Sequence, residues 1–498
     1  MSGNENGFEF PGIVRTPSRF RNPIGKYQLH RTDSCVACGK CAEMCPYGVH
    51  VIRKGHVFVE NSYRCPGPAC PGPCYEACPV GALSCKKNPV FDTLGDYRWT
   101  PDLLVSTWHM AETGSMPSAD LEYKTGKSKG GFDKLRLVKK SGTSELQDIP
   151  DDQIDVSLQL NRRDDNAHKV KIEVPFYGGG MSYGSVSIRT MLSRIKAFAA
   201  LGTFCCTGEG GYPDELKPYD DHVITQVATG LFGVREETIK RVKIVEFKYA
   251  QGAKPGLGGH LLGDKVTPGV ARMREAVAGY PLFSPFPFHS VYSIEDHKKH
   301  VDWIKAMNPK ALVSVKVSTP NDVDMVAVGS YFAGAHIIHL DGSYGGTGAA
   351  PEIAKKNIAM PLEYAVPMVH QFLQEEGVRD KMTVIASGGI RTPHDVAKII
   401  ALGADGVCTG TADLVALECI RCRNCESGRG CARGIATTDP ELMELMEIEW
   451  GTRRLINMFW AWRKELIRIL KMLGMRSLRE LVARTDCLVH LDYMQNQG

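Results

Sequence analysis

The chain has 498 residues, 43% of them hydrophobic and 23% charged, and a formal net charge of +4. That composition suits a globular protein with room for a large barrel and appendages, and it excludes the basic footprint that nucleic-acid binding needs. The polar start from Met1 to Asn6 has no apolar signal segment. The most apolar stretch, Met325 to Leu340, is too short for a membrane span and carries Ser330, His336 and His339, so a cytoplasmic protein with no membrane contact is expected.

In chain order, residues 1–25 read as a loose lead-in and residues 26–90 as a cysteine-rich, proline-rich module. Of the 17 cysteines, nine lie between Cys35 and Cys85 and four between Cys419 and Cys431. Clustered thiols in a long chain without an export signal point to metal ligands rather than disulfides. Cys35, Cys38, Cys41 and Cys45-Pro46 form C-x2-C-x2-C-x3-C-P, the bacterial ferredoxin run. In that run a short loop wraps a cubane, and the fourth cysteine serves a second cluster. Cys65, Cys70, Cys74 and Cys78-Pro79 repeat the ending with looser spacing, and CPYGV at 45–49 mirrors CPVGA at 78–82. A ferredoxin-like domain with two [4Fe–4S] clusters is expected. The ferredoxin crossover groups Cys78 with Cys35, Cys38 and Cys41, and Cys45 with Cys65, Cys70 and Cys74. Cys85 reads as a buried spare thiol.

Residues 91–165 read as a linker and packing segment with a polar centre from Tyr123 to Asp133. From about residue 166 to 440, short apolar runs alternate with amphipathic segments, the pattern of repeated βα units. Strands are expected near Val242–Tyr249, Leu312–Val317, His336–Leu340, Thr383–Ala386 and Gly406–Cys408, with weaker ones near Lys171–Val174, Thr203–Cys206 and Pro281–Phe283. Eight such strands close a (β/α)8 TIM barrel. Helices are expected over Ser293–Met307, Leu362–Glu376 and Pro393–Leu402, the last opening with a Thr392 N-cap and an N1 proline. Residues 441–498 read as a C-terminal helical tail, with Leu455, Met458, Phe459 and Trp462 packing on the barrel.

Chemistry in such barrels sits at the C-terminal strand ends. After the last two strands come Ser387-Gly388-Gly389 and Thr409-Gly410-Thr411, each leading into a helical pattern, which suits a phosphate-bearing cofactor. The loop GGGMSYGSVS at 178–187, with Met181 and Ser182, lets backbone approach a flat ring. Lys316 on an apolar strand needs an anion, either a reduced flavin or a structural salt-bridge partner. Glu209, flanked by glycines, should project into the barrel mouth. Gln251, Lys254 and Arg274 together suit a dicarboxylate such as a 2-oxo acid.

These motifs resemble the synthase domain of glutamate synthases from about Pro175 to Asp486. The likeness includes TGEGG at 207–211, QGAKPG at 251–256, SPFPFHSVYSIED at 284–296, GGTGAAP at 345–351, SGGIRTPHDV at 387–396, IATTDPEL at 435–442 and RSLRELVARTD at 476–486. With its ferredoxin front end the chain resembles the archaeal-type glutamate synthase large-subunit core. The resemblance implies FMN at the barrel mouth, 2-oxoglutarate and ammonia as substrates, and an iron–sulfur cluster on Cys419, Cys425 and Cys431. Cys422 adds a fourth thiol: three ligands suit [3Fe–4S], four permit [4Fe–4S], and ligation by all four cysteines is expected. Leu257 departs from the family, which carries an acidic residue there.

No glutaminase-type cysteine opens the chain, because residue 2 is Ser, so a separate glutaminase subunit or free ammonia is expected. No G-x-G-x-x-G follows a strand, so an NADPH-oxidising flavoprotein subunit or ferredoxin is the expected donor, within a hetero-oligomer. The competing readings are a methylamine–glutamate N-methyltransferase-like paralogue and an electron-transfer subunit with an inactive barrel.

Overall fold

The computed structural model describes residues 8–20, 24–117, 131–255, 257–284, 288–348, 350, 355 and 358–495. Its centre is a closed barrel of parallel strands: β1 (Phe176–Gly178), β2 (Cys205–Cys206), β3 (Val223–Val227), β4 (Ile244–Lys248), β5 (Leu312–Ser318), β6 (Ile337–Asp341), β7 (Thr383–Ser387) and β8 (Gly406–Thr409). Closure comes from β8 pairing with β1, Thr409 opposite Gly178.

Alternation along these strands sorts the residues. Val245, Phe247, Val313, Val315, Ile338 and Leu340 face outward and join the main hydrophobic core. The inward set begins apolar at the bottom, with Ile224, Ile244, Leu312, Ile337 and Ile385 in one buried cluster. Two residues further up it turns polar, with Gln226, Glu246, Ser314, His339 and Ser387. The barrel therefore has a dry base and a polar upper layer, and the mouth lies above that layer.

Six of the expected strands correspond to barrel strands; two do not. Lys171–Ile172 pairs antiparallel with Leu158–Gln159. This hairpin stops the bottom of the barrel, where Leu158 and Ile172 pack with Ile244 and Leu312. Leu282–Ser284 pairs antiparallel with Gly259–Leu261, a hairpin beside the mouth. Their places are taken by β1, only three residues long before its glycine loop, and by β3, whose Val-Ile-Thr-Gln-Val follows a polar 3-10 segment, Asp214–His222. The expected helices form at Ile294–Met307, Leu362–Glu375 and Pro393–Ala401. Thr392 caps the last by accepting from the Asp395 N–H, as its position before Pro393 requires.

The N-terminal module is built on two antiparallel pairs, Tyr27–Arg31 with Leu83–Lys87 and His50–Arg53 with His56–Val59. It is docked through helix α1 (Pro101–Thr113), whose buried Glu112 accepts from Arg64, from Tyr63 Oη at 3.0 Å and from Arg15 Nε at 3.1 Å. Helix α2 (Ile188–Ala200) and the long helix α3 (Ile448–Met472) close the other side. Leu455, Met458, Phe459 and Trp462 are fully buried, and Phe459 stacks on Phe176 of β1 at 4.7 Å. The expectation of a loose lead-in fails for Val14–Arg19. Thr16 and Val14 carbonyls accept from Arg454 and Asn457 of α3, and Arg19 lies 4.2 Å over the Trp450 ring. Of the expected polar centre at 123–133, residues 123–130 lie outside the described residues. Among the described residues no helix is long and apolar enough to cross a membrane.

Candidate active site and cofactor cavities

The C-terminal strand ends surround a cavity of about 280 Å3. Met181 and Ser182 reach it from the loop after β1, Glu209 after β2, and Gln251 and Lys254 after β4. Lys316 rises from β5. Gly388 and Gly389 follow β7, and Gly410 and Thr411 follow β8. Arg274 enters from the end of the short helix Pro268–Arg274. Thus the barrel positions singled out in the sequence, apart from the cysteine loop, meet at one opening.

Below them lies a buried polar chain that sequence reasoning missed. Gln226 donates to Glu246 at 2.6 Å, and Ser314 donates to it at 3.0 Å. His339 joins Glu246 at 2.9 Å to Ser387 at 2.7 Å, and Ser387 donates to Asp341 at 2.6 Å. Lys316 Nζ ends the chain 3.6 Å from Asp341. Burial opposes ionisation of Glu246, but His339 and Lys316 outweigh it and hold the carboxyl at about 2. Asp341 is lowered in the same way, its burial overcome by Lys316 and His339. Lys316 is raised despite burial, with Asp341 the largest favourable influence. The available signal was the polar residue two positions beyond an apolar inward residue in each strand, which marks the inward face.

Lysines and arginines crowd the mouth, beside the carboxylates of Glu209, Asp341 and Glu426. Arg274 is 5% exposed, donates only to neutral oxygens, Ser182 Oγ at 2.9 Å and the Tyr183 carbonyl at 3.0 Å, and its Nε has no partner among the described residues. Burial pulls its pKa down to about 10. Burial and then the Lys248 ammonium bring Lys254 down to about 8. Glu209 is already engaged by Lys248 at 3.1 Å. Gly259 makes room for it, because a Cβ there would fall 1.4 Å from Glu209 Oε1. Gly388 sits at φ +102°, where a side chain would also collide with the Gly342 carbonyl at 2.5 Å. A Cβ on Gly410 would meet only Met181 Cε, at 3.6 Å, so this glycine leaves space between the two terminal loops.

A second cavity, about 270 Å3, is lined by Cys419, Cys422, Cys425 and Cys431. It shares Cys419, Cys425 and Arg421 with the wall of the first. Arg421 is clamped by Asp96 of the preceding segment, at 3.1 and 2.8 Å. A third and larger cavity, about 500 Å3, separates the Pro46–Gly48 turn of the N-terminal module from Glu418 and Arg433 beside the cysteine loop. It lies away from the strand ends that carry chemistry in such barrels, so the smaller mouth cavity is the candidate active site.

In the N-terminal module, burial pushes Cys74 up to about 12, with Cys45, Cys41 and Cys70 adding to the rise. Cys78 is lowered by the Val80 N–H, with Cys35 opposing. Cys45, Cys41 and Cys70 therefore lie near Cys74, and Cys35 lies near Cys78. Arg31 donates to Cys35 at 3.0 Å and to Cys41 at 3.5 Å, and His50 meets Cys74 at 3.2 Å. Cys85 is half-buried rather than buried and hydrogen-bonds with Cys65. Among the described residues no three His, Cys, Asp or Glu side chains converge as on a single ion. Thiols around a cubane stand wider apart, since each binds a different iron.

Residues 124–476 match the conserved region in glutamate synthase, and residues 30–49 match a 4Fe-4S binding domain. The chain belongs to the glutamate synthase family. An archaeal-type glutamate synthase [NADPH] of Thermotoga sp. (strain RQ2) is 37% identical over 487 residues, 93% of this chain and 94% of that protein. The archaeal glutamate synthase [NADPH] of Methanocaldococcus jannaschii is 37% identical over 92% of this chain and 93% of its own. The glutamate synthase [NADPH] large chain of Azospirillum brasilense is 37% identical over 63% of this chain but 21% of its own length. The two archaeal-type relatives thus match this chain over nearly its full extent, whereas the Azospirillum protein extends far beyond the matched region. Leu257, its departure from the family motif, is 47% exposed and does not line the mouth.

Proposed function

We propose that this chain forms glutamate by reductive amination of 2-oxoglutarate at the barrel mouth. The carrying observation is Arg274, a buried cation at the mouth whose Nε has no partner among the described residues and whose pKa burial lowers to about 10. A dicarboxylate entering the mouth gives Arg274 a charged partner, with Lys254 and Gln251 on the same wall. The cavity suits FMN: the space at Gly410 admits a phosphate between the last two loops, and Lys316 lines the same wall. When bound, FMN supplies the hydride that reduces 2-iminoglutarate, the imine of 2-oxoglutarate and ammonia. Arg274, Lys254 and Gln251 hold the carboxylates, while Glu209, steadied by Lys248, handles the proton that accompanies ammonia addition.

The two N-terminal cysteine runs and the 419–431 loop would hold iron–sulfur clusters, which would supply one-electron transfer between donor and mouth. The shared wall of Cys419 and Cys425 supports that order. We further propose an NADPH-oxidising flavoprotein subunit or ferredoxin as donor, with ammonia from a separate glutaminase subunit or from solution. The reducing cytoplasm keeps these thiols available.

The test is an anaerobic assay of the flavin-loaded, reduced chain with 2-oxoglutarate and ammonia. Glutamate should form, and a reduced flavin left unoxidised by both substrates together would overturn the reading. A parallel arm with methylamine should give little product; N-methylglutamate as the main product would favour the methylamine-using paralogue. In the same assay Arg274→Ala should raise KM for 2-oxoglutarate by about 30-fold, equivalent to ~2 kcal/mol, with kcat less affected. An unchanged KM would remove Arg274 from substrate binding.

Lys254 gives a pH dependence with a definite sign. Its ammonium is present below its pKa of about 8 and is lost above it. KM for 2-oxoglutarate should be flat up to about pH 8 and then rise by up to ~10-fold per unit. Lys254→Met should raise KM at neutral pH and flatten the profile; a wild-type profile that is already flat to pH 10 would exclude this role.

A further inference from the structure

We infer that Cys422 is the fourth thiolate of a [4Fe–4S] centre in the barrel loop, where Cys419, Cys425 and Cys431 alone would hold a three-iron cluster. The inference rests on the proposed function only for the presence of iron and sulfide at this loop. Three independent features carry it.

The first is spacing. Cys419, Cys422 and Cys425 stand in C-x2-C-x2-C, the spacing of Cys35, Cys38 and Cys41 in the ferredoxin run. The second is placement, since all four thiol residues of the loop line the same cavity of about 270 Å3.

The third is backbone conformation. In the ferredoxin run Cys38 stands between Ala37 at φ 55° and Gly39 at φ 78°. In the barrel loop Cys422 stands between Arg421 at φ 61° and Arg423 at φ 66°. Left-handed conformations are unfavourable for a residue with a Cβ, and two of them flanking one cysteine persist only where the surroundings over-determine them. Such alternation turns backbone N–H groups toward one concave side, the arrangement that receives anionic iron–sulfur groups. The Asp96 clamp holds Arg421 in that conformation. In both runs the middle thiol is the exposed one, Cys38 and Cys422. The barrel loop therefore shares with the N-terminal run its cysteine spacing and the two positive φ values on either side of the middle cysteine. The extra negative charge of a fourth thiolate is met by Arg421, Arg423 and Arg433 at the same cavity.

The experiment is iron and sulfide counting with EPR and Mössbauer spectroscopy on the full chain, purified without oxygen and examined before any reductant is added. Wild-type protein should lack the near-isotropic EPR signal of an oxidised three-iron cluster. Cys422→Ala should gain that signal at about one spin per chain and lose one iron, with FMN content retained. A stoichiometric three-iron signal in wild-type protein would overturn four-thiolate ligation while leaving glutamate formation in place. If the variant does not fold, the wild-type spectrum still decides between the two nuclearities. Iron confined to the N-terminal module, with none at the 419–431 loop, would overturn both this inference and the electron route proposed above.

Discussion

Glu209→Gln is expected to slow glutamate formation by about 1000-fold, within the usual range for removing a general acid–base group. The substitution preserves shape and removes the charge. The Glu209 carboxylate lies at the mouth, 3.1 Å from Lys248, packed against the one residue type that leaves it room, Gly259. Arg274 and Lys254 both feel its charge, so it sits among the groups assigned to the carboxylates of the substrate. Ammonia addition to a ketone and loss of water each require a proton to move, and Glu209 is the mouth carboxylate placed for it, since Asp341 is held below by Lys316, Ser387 and Gly252 and Glu426 is paired with Lys265 at 3.2 Å. The check is single-turnover reoxidation of the reduced chain by 2-oxoglutarate and ammonia. FMN content and 2-oxoglutarate affinity should stay within a few-fold of wild type. A variant that reoxidises at the wild-type rate would take Glu209 out of proton transfer.

The sequence made the mouth legible because its residues are punctuated by glycine. TGEGG, GGGMSYG and SGGI are conspicuous wherever they occur, and barrel geometry then assigns each to a strand end. Cysteine spacing was legible for the same reason, as a thiol run has few meanings. What stayed hidden was the floor. Glu246 lies in one mainly apolar strand and His339 and Asp341 in another, and only closure of the barrel puts them on one inward face. β3 was hidden because Gln226 belongs to the inward polar layer and Thr225 beside it faces outward, so the two break the apolar pattern expected of a buried strand. Pro281–Phe283 misled in the opposite direction: its apolar residues cover the mouth as part of a hairpin rather than complete the barrel. Cys422 read as a fourth thiol, but the positive φ values beside it were beyond any spacing argument.

Lys316 carries the other large effect, because two explanations of it were open from the start and one pair of variants separates them. In the fold Lys316 has a structural partner, Asp341 at 3.6 Å, yet it also lines the cofactor cavity. Removing the cation alone, in Lys316→Met, leaves Asp341 buried with Ser387 Oγ and the Gly252 N–H as its donors among the described residues, at 2.6 and 2.9 Å. That should cost about 3–5 kcal/mol, the usual penalty for breaking a buried pair, and appear as a lower urea midpoint of the flavin-free protein. Removing both charges in Lys316→Met/Asp341→Asn should recover much of that midpoint, since no uncompensated charge remains. If Lys316 acts only as the partner of Asp341, the double variant should also bind FMN as wild type does. The expected result is different: stability returns, but FMN affinity stays down by about 100-fold, because the cation faces the cofactor as well as the carboxylate. FMN bound at wild-type affinity by the stable double variant would reduce Lys316 to half of a structural ion pair.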